Sequence, residues 1–73
     1  MKNEVKKWLG PVNMYDDFGD KITDEFIDGK THMGQWAIMT PYSWGCYGFT
    51  SLGVGLGQRY KKQPDKTWVK IEG

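Results

Sequence analysis

The chain holds one cysteine, Cys46, and one histidine, His32. A single thiol forms no internal disulfide, and a structural zinc site needs about four Cys or His ligands. Both usual supports of a very small fold are therefore absent from a chain of 73 residues. At that size a single hydrophobic core is marginal. What remains is aromatic burial. Four Trp, four Tyr and three Phe make up 15% of the sequence. The length fits one domain over 1–73, with no repeat and no low-complexity linker.

Charge is distributed unevenly. Asp16, Asp17, Asp20, Asp24, Glu25 and Asp28 face only Lys21 in their segment, whereas Arg59, Lys61, Lys62, Lys66 and Lys70 face only Asp65. Thr31 to Gln58 carries no Asp, Glu, Lys or Arg between them. The plain reading is two solvated faces flanking a core segment. The functional reading is a basic hairpin facing a polyanion, or an acidic loop facing a basic partner. The uncharged stretch is long enough to span a bilayer, but Pro41 and five glycines between Trp36 and Gly57 oppose a membrane helix. No apolar run follows Met1-Lys2-Asn3-Glu4-Val5-Lys6-Lys7, so no signal peptide is expected and the chain reads as cytoplasmic.

Local patterns predict the elements. Val5, Trp8 and Leu9 share a helical face, which suggests a short amphipathic helix over 2–9, capped by Asn3 and stopped at Gly10-Pro11. Asp16-Asp17-Phe18-Gly19-Asp20 reads as a turn. Two turns compete for the central hairpin. Asp28-Gly29 is a favoured type I′ pair, with Lys30-Thr31-His32-Met33 as its return strand, and Gly34-Gln35 is the other, leading into a buried strand Trp36-Ala37-Ile38-Met39. Thr40-Pro41 is helix-entry chemistry, and Gly45 and Gly48 hold the helix near Pro41–Tyr47 to one or two turns. Gly53 to Gly57 reads as a loop, and a C-terminal hairpin over 57–72 turns at Gln63-Pro64-Asp65-Lys66. The fold class is small α+β, mostly antiparallel β, with an all-β SH3-like barrel as the alternative.

No constellation points to catalysis. Nothing in the spacing pairs Cys46 with His32, and a lone cysteine is usually a small buried apolar residue. Gly53-Val54-Gly55-Leu56-Gly57 fails the dinucleotide fingerprint, since Gln58 stands where a glycine is needed and no long helix follows. Asp16-Asp17-x-x-Asp20 lacks the alternating oxygens and distal Glu of a calcium loop. No enzyme and no cofactor are expected.

One longer string carries a resemblance. Phe26-Ile27-Asp28-Gly29-Lys30-Thr31-x-Met33-Gly34-x-Trp36-Ala37-x-Met39, then the glycine loop and Gly57-Gln58-Arg59-Tyr60, resembles a family of small, mostly uncharacterised bacteriophage proteins over roughly residues 15–60. In that family one Cys-x-x-Cys precedes the first segment and another follows it, which implies a zinc-ribbon-like or treble-clef-like site over 12–48. Here the pairs read Tyr15-Asp16-Asp17-Phe18 and Thr40-Pro41-Tyr42-Ser43. All four ligand positions, Tyr15, Phe18, Thr40 and Ser43, have lost their cysteines. The resemblance thus implies a degenerate, metal-free zinc finger. Tyr15 and Phe18 are expected to fill the former metal site as an aromatic plug, with Thr40 as helix cap.

Two functions follow as expectations. The first is a non-enzymatic phage accessory protein that binds and modulates a host protein, with Trp36, Tyr42, Trp44 and Tyr47 as contact candidates, since Trp and Tyr favour interfaces. The second is a nucleic-acid-binding module built on Arg59, Tyr60, Lys61, Lys62, Lys66 and Lys70, with Tyr60 or Trp68 stacking on bases. A homodimer would add core to so small a chain.

Overall fold

The computed structural model describes residues 6–49 and 51–73. Four strands and one helix run in the order β1 (Glu25–Lys30), β2 (Trp36–Met39), α1 (Pro41–Tyr47), β3 (Gly57–Lys62) and β4 (Trp68–Glu72). They form one antiparallel sheet in the order β2-β1-β3-β4, with a register shift between Arg59 and Tyr60. The outcome is a small antiparallel sheet with one short helix. Among the described residues no helix is long and apolar enough to cross a membrane.

The central hairpin turns at Gly34, not at Asp28-Gly29. The Thr31 amide and hydroxyl both donate to the Gln35 carbonyl (2.7 and 2.8 Å), and Gly34 takes φ 97°. Lys30 to Met33 therefore leads into the turn, and the return strand is β2. Asp28 and Gly29 sit inside β1, opposite Ile38 and Ala37. Gly29 is a glycine for a different reason than a turn requires. A Cβ there would lie 2.8 Å from the Trp44 ring, and one at Gly48 only 2.0 Å from it. The two glycines form a slot in which the indole of α1 lies against the sheet.

The segment 2–9 does not form the expected helix where it is described; residues 2–5 lie outside the described residues. Lys7 bridges Val69 in antiparallel fashion, the Trp8 amide donates to the Trp68 carbonyl (2.9 Å), and the Lys70 amide donates to the Lys6 carbonyl (2.7 Å). A weak local helical preference has yielded to the unpaired edge of β4. The segment nevertheless packs on the sheet through Trp8. Its ring meets Phe26 edge-on at 5.2 Å and Tyr60 at 5.4 Å.

The sheet is covered on both faces at β1, where the adjacent residues Phe26 and Ile27 are both fully buried. Side chains alternate along a strand, so the two point to opposite faces. On one face Phe26 stacks on Tyr60 at 5.2 Å and meets Trp68 edge-on at 5.0 Å, closing a cluster with Trp8. On the other lie Ile27 and Met39, under α1. The helix starts as its sequence dictates. Thr40 Oγ1 accepts the Ser43 amide at 3.1 Å, and Pro41 sits at the first turn, where its missing N–H costs nothing. The C-terminal hairpin also forms where expected. Gln63 closes on Thr67 at 2.7 Å, and the Asp65 carboxylate accepts both the amide (3.0 Å) and the hydroxyl (2.6 Å) of Thr67.

Candidate interaction surface

Two short segments far apart in sequence meet beside β2. The turn at 15–20 folds around the side chain of Asp16. Its Oδ1 accepts the amides of Phe18 (2.9 Å) and Asp20 (2.8 Å), which tightens the turn. Its Oδ2 reaches across to accept the Thr40 amide (2.9 Å), just ahead of α1. The buried Ser43 hydroxyl lies 3.4 Å from Thr40 Oγ1, beside the same carboxylate. Asp20 accepts the Thr40 hydroxyl. Asp17 adds a doublet: its amide donates to the Ile38 carbonyl (3.0 Å), and its Oδ2 accepts the Ile38 amide (2.7 Å). Carboxylates are thereby tied to otherwise unpaired backbone donors, the stronger class of hydrogen bond. Asp16, Thr40 and Ser43 are buried at this junction, at 7%, 4% and 1% exposure.

Thus positions 15–18 and 40–43 do face each other, but the expected aromatic plug is not what joins them. Tyr15 and Phe18 are 55% and 38% exposed. The physical reason lies in the turn. Its inward position is taken by Asp16, which satisfies two amides of the turn and reaches the helix entry, so the neighbouring rings are turned outward. The sequence carries an Asx-turn signal here but nothing to show that the carboxylate serves a donor 24 residues away. Among the described residues, no group of three or more His, Cys, Asp or Glu side chains is placed to hold a metal ion.

The electrostatics follow the geometry. Burial by itself would push the Asp16 carboxyl up. The Ser43 hydroxyl, then the amides of Thr40, Asp20 and Phe18, outweigh it and hold the group below its ordinary value of 3.8. Asp28 has no such partners. Burial first, and the Asp17 charge second, raise it.

The outward rings form a surface on and beside α1. Phe18 stacks face to face on Tyr47, with centroids 4.1 Å apart and planes within 11°. Tyr42 is 72% exposed, and its hydroxyl interacts with the exposed Cys46 one turn along the helix, which raises the phenol above its usual range. The backbone supports this surface through the His32 amide, which donates to the Tyr47 carbonyl at 2.9 Å and so ties the hairpin turn to the helix end. Trp36 is exposed at the start of β2. Of the four residues proposed from sequence for protein contact, Tyr42, Tyr47 and Trp36 are exposed, while Trp44 is half-buried in its glycine slot. Phe18 was absent from that set. Its stacking partner lies 29 positions along the chain, and no local pattern connects them.

The basic candidates divide. Arg59 is bound internally, with Nη1 2.8 Å from Glu25 Oε1 and Nε 3.9 Å from Glu72 Oε1. Tyr60 is half-buried in the aromatic cluster, stacked on Phe26 and set edge-on to Trp8, so its ring is engaged in the fold. Lys61, Lys62 and Lys66 are exposed and Lys70 is half-buried. Lys62 and Trp68 are direct cross-strand partners, with Nζ 5.8 Å from the ring centroid.

No protein-family model, no curated protein and no solved structure matches the chain.

Proposed function

We propose that this chain is a small α+β protein of metal-free zinc-finger-like build, a non-enzymatic phage accessory protein that binds and modulates a host protein in the bacterial cytoplasm. The observation that carries the reading is the solvent-exposed Phe18–Tyr47 stack with Tyr42 beside it. These rings lie outside the Trp8–Phe26–Tyr60–Trp68 cluster that fills one face of the sheet. Rigid aromatic side chains present large contact area at small entropic cost, which is why they dominate binding hot spots. The Asp16 junction fixes the turn that carries Phe18 against the helix that carries Tyr42 and Tyr47. The arrangement supports a zinc-finger-like architecture in which a buried carboxylate takes the cross-linking role of a metal.

The test uses surface residues. Trp44→Ala would empty the glycine slot and confound binding with folding, so Phe18→Ala/Tyr42→Ala is the informative variant. Immobilised wild-type protein is expected to retain a specific protein from bacterial lysate that the double variant loses, while the two melt within a few degrees of each other. Identical captured sets from both proteins would sink the proposal.

A further inference from the structure

An open groove of about 530 Å³ runs between the 12–23 segment and the end of the C-terminal hairpin. Met14, Ile22 and Trp68 line it with apolar surface, and Lys21, Lys62 and Lys66 stand around it. Backbone bonds hold this arrangement. Tyr15 bridges Lys21, the Ile22 amide donates to the Met14 carbonyl at 2.8 Å, and the Lys62 amide donates to the Asp24 carbonyl at 2.8 Å. Lys66 occupies the left-handed turn position, φ 71°, between Gln63 and Thr67.

The lysines are electrostatically available. Among the described residues none of the three forms an ion pair, and the two ion pairs present both belong to Arg59. The nearby acids are engaged locally, Asp24 with the Thr23 hydroxyl (3.1 Å) and Asp65 with Thr67. Asp16, Asp17 and Asp20 are committed to the junction beside β2. A formal net charge of +1 therefore hides a groove lined by cations. Sequence reading placed Lys62 and Lys66 on one basic hairpin. It gave no sign that Lys21, from the acidic segment, joins them.

We propose that this groove binds single-stranded nucleic acid, with the three lysines on backbone phosphates and one base against the Trp68 indole. Trp68 packs edge-on against Phe26 and lies under the Lys62 ammonium. A base laid on the indole displaces that ammonium toward a phosphate, exchanging a cation–π contact for an ion pair plus a stacking contact. A polyglutamate chain supplies charge but no planar group for the indole, whereas every nucleotide supplies both. The groove involves none of Phe18, Tyr42 or Tyr47, so its fate is independent of the protein-binding surface.

Fluorescence anisotropy with a labelled oligothymidylate of about 15 nucleotides tests it. Binding is expected at low salt, with log affinity falling against log salt at a slope of about −2 for three phosphates. A Lys21→Gln/Lys62→Gln/Lys66→Gln variant is expected to lose at least about ten-fold in affinity with an unchanged melting curve, since these changes leave Trp68 and the core in place. An abasic backbone of equal length is expected to bind about ten-fold more weakly, the loss of one stacked base. No binding at low salt overturns the proposal. So does equal binding of the abasic strand, equal or tighter binding of a duplex, or equal competition by polyglutamate.

Discussion

At the β2 side of the sheet the turn over residues 15–20 is fastened to strand and helix by carboxylates. At the β4 side the N-terminal segment is fastened by the rings of Trp8, Phe26, Tyr60 and Trp68. Both attachments join segments distant in sequence, but their physics differs. Carboxylate–amide bonds are directional and titrate. They fix the angle at which Phe18 meets Tyr47, and those of Asp16 are strongest while its carboxyl is ionised. Aromatic packing buries apolar area, tolerates small shifts and does not depend on proton concentration. One side defines the shape of a surface, and the other buries Phe26 completely among half-buried rings.

The largest expected effect breaks the aromatic side. Phe26→Ala removes the fully buried ring at the centre of the cluster, at a cost of about 3–5 kcal/mol. That is comparable to the whole stability of a small domain. Loss of the cooperative thermal transition by circular dichroism is expected at neutral and acidic pH alike. A transition within a few degrees of wild type would show that the cluster is not the main support.

Asp16→Asn comes next, at about 1–3 kcal/mol, because its amide nitrogen would face the Thr40 amide or displace the bonds to Phe18 and Asp20. Its signature is pH dependence. The folded-state value of Asp16 is depressed, so the stabilisation is complete above the ordinary value of 3.8 and is lost as pH falls through the lower folded value. Denaturant midpoints of the wild type should fall through that acid window, and those of Asp16→Asn should fall less. Asp65, lowered first by the Thr67 hydroxyl and then by the Thr67 amide, acts with the same sign, so Asp65→Asn is the needed control. Parallel acid profiles for wild type and Asp16→Asn would show that the junction is held by something other than the charge.

The smallest effect has the opposite sign. Asp28 is raised by burial and then by Asp17, so its ionised form costs stability at neutral pH. Asp28→Asn should raise the denaturant midpoint at pH 7, with the gain vanishing at low pH, where the native carboxyl is protonated in both states. A lower midpoint at pH 7 would show that the charge does useful work in the fold.

The elements were legible in the sequence wherever the signal was local. Thr40-Pro41 marked the helix start, Gly34-Gln35 was one of two candidate turns, and Gln63 to Lys66 marked the last hairpin. The misleading signals were also local. Asp28-Gly29 has the composition of a turn, yet Gly29 is required by the Trp44 ring from α1. Val5, Trp8 and Leu9 have helical spacing, yet residues 6–8 join an open strand edge. The site was harder to read because its links are long-range. Asp16 to Thr40, Phe18 to Tyr47 and Lys21 to Lys62 each connect residues whose proximity exists only after the sheet has formed.

The Asp17 doublet has a consequence for self-association. Strand β2 is an outer strand of the sheet, the kind of edge onto which a second chain can add by backbone pairing. Asp17 gives Ile38 one donor and one acceptor, as a neighbouring strand would, and Asp16 occupies the Thr40 amide. The turn thus works as an edge guard. For a copy of the chain to extend the sheet at Ile38, it would first have to displace two carboxylates that already hold the exposed backbone of the strand.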